Sequence, residues 1–165
     1  MATRDLSAFD PQALPDAQDM RIGIIVSEWN AHITENLLRG AMETLTAQGL
    51  RLNNIHIIHV PGSFELASGA SLLIANRSVE AVICLGSIIR GETPHFEFVS
   101  LATAQGIMEV GLRTGKPVIF GVLTDDTEDQ ARARSGGNKG NKGTEAAVTA
   151  MRMIAVRRQL EDNLF

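Results

Sequence analysis

Short, almost continuously apolar runs recur four times in this chain, and they restrict its fold more than any other feature. They occupy Arg21-Ile-Gly-Ile-Ile-Val-Ser27, Asn54 to Val60, Glu80-Ala-Val-Ile-Cys-Leu85 and Val118-Ile-Phe-Gly-Val-Leu123. A strand with one wet face alternates apolar and polar residues, whereas a strand covered on both faces has no need to. Between these runs the apolar residues adopt helical spacing instead. Residues 31 to 48 place Ile33, Leu37, Leu38, Ala41 and Leu45 on one face before Gly49 stops the pattern. Residues 64 to 76 do the same with Leu66, Ala67, Ala70, Leu73 and Ile74, and a third pattern runs from Phe96 to about Leu112. Thr124-Asp-Asp-Thr-Glu-Asp caps a short helix through Ala131, Ala133 and Arg134, and a last helix is predicted from Thr144 to about Leu160. Strands alternating with helices predict a three-layer α/β/α sandwich around a four-stranded parallel sheet with right-handed crossovers.

No internal repeat or long linker divides the chain, so residues 1–165 are read as one domain. Residues 1–20 are irregular and read as an arm, either flexible or docked on a neighbouring subunit through Leu6, Phe9 and Leu14. The formal charge is -4 with no sustained basic run, which argues against nucleic acid as a partner. The single cysteine, Cys84, lies inside an apolar run and points to a reducing compartment. The first residues lack the apolar core of a signal peptide, and no apolar stretch is long enough to span a bilayer. A cytoplasmic location without a membrane partner is the expectation.

In a parallel sheet, ligands bind beyond the carboxyl ends of the strands. The third strand leads there into Gly86-Ser-Ile-Ile-Arg-Gly-Glu-Thr-Pro-His-Phe-Glu-Phe98. Gly86 and Gly91 bracket this junction, Thr93 is the predicted N-cap, and Pro94 an early helical residue. His95 then falls in the first turn, placed to carry protons near neutral pH or simply to cap or face solvent. Trp29-Asn30 after the first strand could stack on and hydrogen-bond a flat heterocycle, and Phe64-Glu65 follows the same logic after the second. Arg90, Arg134, Lys139 and Lys142 are the cationic candidates for a phosphate. The glycine-rich Ser135 to Gly143 segment is either part of such a site or a mobile surface loop, and Phe120 reads as core. Neither the P-loop nor the dinucleotide glycine pattern occurs, and Ser87 is not in a nucleophile elbow. His32, His56 and His59 form no metal-ligand spacing with His95, so no metal site is expected. Acidic residues such as Glu92, Glu97, Asp125 and Asp126 form no catalytic pair by spacing. An enzyme and a binding module both remain compatible with these residues.

Six junctions, in order, resemble those of the 6,7-dimethyl-8-ribityllumazine synthase family. They are Trp29-Asn30, Pro61-Gly-Ser-Phe-Glu65, Gly86 to Phe96, Phe120-Gly-Val-Leu-Thr124, Gln130-Ala-Arg-Ala-Arg134 and Gly140-Asn-Lys-Gly-Thr-Glu-Ala146. The resemblance implies a flavodoxin-like fold and a transferase of riboflavin biosynthesis that needs no metal or organic cofactor. Its reaction condenses 5-amino-6-(D-ribitylamino)uracil with 3,4-dihydroxy-2-butanone 4-phosphate, releasing phosphate and water. By motif position, His95 would shuttle protons, and Arg134 would bind phosphate with Gly91, Glu92 and Thr93. Trp29, where the family often has phenylalanine, would stack on the pyrimidine. Asn30, Ser63, Phe64 and Glu65 would hold the ribityl chain, and backbone around Ile88 and Ile89 the uracil edge. Phe120 would close the pocket from an adjacent subunit, and Lys142 would add positive charge. The resemblance further implies a homo-pentamer with sites between subunits, in which the N-terminal segment adds a strand to a neighbour's sheet. Twelve pentamers forming a 60-subunit icosahedral shell are the favoured assembly, with riboflavin synthase as a candidate occupant; Asn138, where shell formers often carry lysine, departs from that pattern. A non-catalytic lumazine- or flavin-binding shell is the alternative.

Overall fold

A computed structural model of the protein describes residues 7–162. Its main sheet contains β1 (Ile22–Ser27), β2 (Ile55–Val60), β3 (Ala81–Ile89) and β4 (Val118–Asp125), in the order β2-β1-β3-β4. Every neighbouring pair is parallel. The helices are α1 (Ala31–Ala47), α2 (Leu66–Asn76), α3 (His95–Thr114), α4 (Glu128–Arg134) and α5 (Lys142–Asp162). The three-layer architecture follows from alternation along the central strands β1 and β3, which are almost wholly buried, whereas the edge strands β2 and β4 are less covered than their apolar runs predict. Ile22, Ile24 and Val26 of β1 and Ile83 and Leu85 of β3 pack with Leu37 and Ala41 of α1 and Ala147 and Met151 of α5. Ile25, Val82 and Cys84 point the other way, onto Leu66, Ala70 and Leu73 of α2 and Ile107 of α3. Burying both faces contributes roughly 1.5–3 kcal/mol for each large aliphatic side chain. The two central strands therefore need no polar alternation.

Two expectations change at the element ends. β3 continues four residues past Leu85, carrying Gly86 through the sheet instead of ending there. Its pairing with β4 explains this, because Gly86 lies opposite Val122 and Ile89 opposite Asp125. A Cβ at Gly86 would sit 2.6 Å from Ser63 Oγ and 2.9 Å from Leu66 Cδ1, so the glycine is there for close approach. Thr93 does not cap α3 either. Pro94 is the N-cap, its carbonyl accepts from Glu97 N at 3.0 Å, and no side chain caps the helix.

The Ser135–Gly143 segment is ordered. It forms a two-stranded antiparallel hairpin, β5 (Ser135–Gly137) and β6 (Gly140–Asn141), which leads directly into α5. Asn141 anchors it, donating from Nδ2 to Asn36 O of α1 at 3.0 Å and accepting at Oδ1 from Gly143 N at 2.8 Å. A Cβ on Gly143 would clash with Leu37 O, so α5 starts directly against α1.

Residues 7–20 form no strand in this chain. A 3-10 turn at Pro11–Ala13 is capped by the Asp10 side chain, Ala17 and Met20 are buried in the core, and Leu14 packs against it. The arm thus contacts its own subunit from Ser7 onward, where Ser7 Oγ donates to Asn141 O at 3.2 Å and accepts from Asn141 N at 2.6 Å, while the predicted anchor Leu6 lies outside the described residues. At the far edge, β2 leaves Ile57 and Ile58 exposed. No helix among the described residues is long and apolar enough to cross a membrane.

Candidate active site

Because the strands are parallel, the loops after β1, β2 and β3 converge at one end. The chain passes from β1 to β2 on one side and then to β3 on the other, which makes the β1/β3 boundary the topological switch point. A cleft of about 690 Å³ opens there. Its shape depends on three ties between the loops. Glu28 N donates to Val60 O at 2.8 Å and Trp29 N to Pro61 O at 3.1 Å, joining the first loop to the second. Asn30 Nδ2 donates to Ser87 O at 2.9 Å, joining the first loop to β3. Thr103 Oγ1 of α3 donates to Ser63 O at 3.3 Å, holding the second loop from above.

Asn30 occupies the left-handed region at φ 60° and is the N-cap of α1, with no side-chain cap. Its carbonyl accepts from Ile33 N and Thr34 N, which leaves the amide free to reach β3. Asparagine tolerates this conformation better than other residues bearing a Cβ. Local strain here serves placement in the cleft.

The cleft brings together most of the residues singled out from the sequence. Trp29, Asn30, Ser63, Phe64, Glu65, Ile88, Ile89, Gly91, Thr93 and His95 all line it. Trp29 is 73% exposed, so its indole is available to a flat ligand and does not serve as core. Glu92 is exposed between Gly91 and Thr93 but lies outside the cleft wall. His95 opens α3 and is exposed.

Other lining residues escaped the sequence reading: Ser87, Phe96, Phe98, Val99 and Ala102. Phe98, Val99 and Ala102 stand three, four and seven residues after His95, the spacing of one helix face. That spacing was the available signal. Ser87 could not be found this way, since the strand had been expected to end before it; its hydroxyl is buried without a hydrogen-bond partner.

Arg90 has a structural task. Its Nε donates to Asp126 Oδ1 at 2.7 Å, Nη1 lies 3.4 Å from Glu97, and the guanidinium stacks 4.3 Å over the Phe96 ring. These contacts tie the end of β4 to the first turn of α3 behind the cleft wall. Arg134, Lys142 and Phe120 lie elsewhere and do not line this chain's cleft. Arg134 Nη1 donates to Gln130 O at 3.0 Å and sits 3.6 Å from Asp125, while Lys142 pairs with Glu145 on α5. Phe120, read as core from its strand alone and as closing a neighbour's pocket from the resemblance, is 40% exposed on the sheet surface and so is not core in its own subunit. His32 and His59 pair with Glu128 and Glu35 on the surface. Cys84 is buried, and burial pushes its thiol up to about 12, far from a reactive thiolate.

The junctions that build this cleft are the ones that carry the family likeness. The model of the 6,7-dimethyl-8-ribityllumazine synthase family matches residues 19–158. The chain belongs to that family. Among its relatives, the 6,7-dimethyl-8-ribityllumazine synthase of Parabacteroides distasonis is 50% identical over 153 residues, covering 93% of this chain and 96% of that protein. The proteins of the same name from Porphyromonas gingivalis and Cytophaga hutchinsonii are 47% and 49% identical, covering 95% and 93% of this chain and 98% and 96% of their own lengths. The likeness therefore spans the whole α/β unit and all three cleft-forming loops.

Proposed function

We propose that the cleft at the β1/β3 switch point is where this chain condenses 5-amino-6-(D-ribitylamino)uracil with 3,4-dihydroxy-2-butanone 4-phosphate. The products are 6,7-dimethyl-8-ribityllumazine, phosphate and water. The observation that carries this reading is the convergence of Trp29, Asn30, the Ser63–Glu65 turn, Ile88, Ile89 and His95 on one cleft in a member of this family. The reaction forms an imine, eliminates phosphate, closes the second ring and loses water. Each step moves a proton at nitrogen, carbon or oxygen, and His95 stands where an imidazole can take and return them. Trp29 stacks on the pyrimidinedione, whose edge meets the backbone of Ile88 and Ile89. Asn30, Ser63, Phe64 and Glu65 hold the ribityl hydroxyls. Gly91, Glu92 and Thr93 offer donors to the phosphate, with Arg134 and Lys142 as its cations. Holding two reactants in register supplies much of the acceleration.

In this reading Phe120, Arg134 and Lys142 reach the substrate from an adjacent subunit, since they do not line the cleft of their own chain. Two surfaces support a homo-pentamer. Phe98, Leu101, Met108 and Leu112 are exposed on α3 at spacings of a heptad seam, with Gln105 completing the row. A solitary subunit would leave this stripe wet. The open edge of β2, with Ile57 and Ile58 exposed, suits a strand added by the neighbour's N-terminal segment. Twelve such pentamers form the shell, the protein works in the cytoplasm, and riboflavin synthase is the candidate guest.

The test is to mix both purified substrates with the protein and follow lumazine absorbance together with phosphate release. Coupled appearance of both products supports the assignment. No product above the uncatalysed background overturns it. Sedimentation velocity checks the assembly, where a monomer would refute the subunit-interface site.

A further inference from the structure

Asp125 ends β4 with a buried carboxylate that the protein engages at one oxygen only. The residue is 7% exposed, and Oδ2 is buried without a hydrogen-bond partner. Oδ1 lies 3.6 Å from Arg134 Nη1, beyond the roughly 2.7–2.9 Å of a formed charge-assisted bond. A buried carboxylate held this loosely is costly to the fold. Its surroundings are a small field of charge from several elements. Arg134 faces it from α4, and Lys142, paired with Glu145, faces it from the start of α5. Asp126 follows on the same segment, with its charge engaged by Arg90, whose backbone N–H donates to Asp125 O at 3.0 Å. Burial pushes the Asp125 carboxyl above the usual range; Arg134 and Lys142 pull against that rise, and Asp126 adds to it.

We infer that Asp125 is the resident counter-anion of the Arg134–Lys142 phosphate site, neutralising these cations when the site is empty and binding a solvent proton when an anion arrives. The inference rests on the reading of Arg134 as the phosphate ligand. An incoming dianion at Arg134 would stand within a few ångströms of the carboxylate, and like charge at that range favours the protonated acid. Proton uptake removes the repulsion and leaves Arg134 to the anion. Asp125 acts through Arg134 and is therefore a positioning residue. Anion affinity at this site rises as pH falls toward the range in which Asp125 protonates.

Sulfate is a suitable probe because it remains a dianion across the relevant pH range. Calorimetric titration of the assembled full chain, in two buffers of different ionisation heat, gives affinity and protons taken up together. Asp125→Asn is expected to bind sulfate about fivefold or more tightly than wild type at pH 8, since one unit of coupled pKa corresponds to about tenfold. At lower pH, where the wild-type carboxyl begins to protonate, it should also take up fewer protons. His95 is present in both proteins, so the difference belongs to Asp125. Arg134→Ala is expected to lose sulfate binding. If it does while Asp125→Asn matches or falls below wild type in affinity, the counter-anion role is overturned and the phosphate reading survives. If Arg134→Ala binds sulfate like wild type, the phosphate reading itself fails. Sulfate binding to wild type with no proton uptake at any pH down through the range in which carboxylates protonate overturns the inference, even should the Asp125 variant not assemble.

Discussion

Asn30 joins backbone strain to placement in the cleft, and two substitutions separate the contributions. Replacing it with alanine deletes the 2.9 Å bond from Nδ2 to Ser87 O, worth about 1 kcal/mol net. It also forces a residue with a Cβ but no local polar compensation to hold φ at 60°, at roughly another 1 kcal/mol. Glycine loses the same bond but meets no steric penalty in the left-handed region. The expected losses are therefore about 2 kcal/mol for Asn30→Ala and about 1 kcal/mol for Asn30→Gly. In a domain of this size these correspond to falls in Tm of about 4–8 °C and 2–4 °C. Thermal unfolding by circular dichroism, at one fixed subunit concentration, reads both. The α1 backbone bonds to Asn30 O survive in either variant, so the helix start is an internal control. A glycine variant as unstable as the alanine one would refute the strain argument. Unchanged Tm in both would refute a stabilising Asn30–Ser87 tie.

Three further outcomes follow from the same geometry. His95→Ala should lower turnover about 100-fold or more, with sedimentation unchanged because the side chain is exposed; an unaltered rate removes its proton-carrying role. Gly86→Ala should cost about 1–3 kcal/mol in denaturant unfolding and raise KM, since its methyl would push the Ser63 turn; wild-type stability would show that the turn yields freely. Cys84 should resist an aromatic disulfide reagent in the native protein and react once per subunit in guanidinium, because burial raises its pKa to about 12; rapid native labelling would contradict that burial.

The layered fold was legible because it is written locally. Unbroken apolar runs mean strands covered on both faces, helical spacing between them means crossovers, and parallel strands send their following loops to a common end. The sequence alone thus assigns Trp29, Asn30, Ser63 and His95 to one region, and six junction motifs point to the family. Cross-strand and loop-to-loop packing was not legible. Whether β3 stops at Gly86 depends on its pairing with β4 and on the approach of Ser63, both distant in sequence. By residue type Arg90 was as suitable for phosphate as Arg134; the family resemblance favoured Arg134, and only the fold showed Asp126, Glu97 and Phe96 around Arg90. Phe120 looked like core because a strand pattern does not say how far its neighbours cover it. Asp125 was one acidic residue among several until the fold buried its carboxylate beside Arg134. Periodicity along the chain determines which elements form and which way they face. Distances between charges and the burial of individual groups arise only when separate elements meet, and those were decided by the tertiary structure.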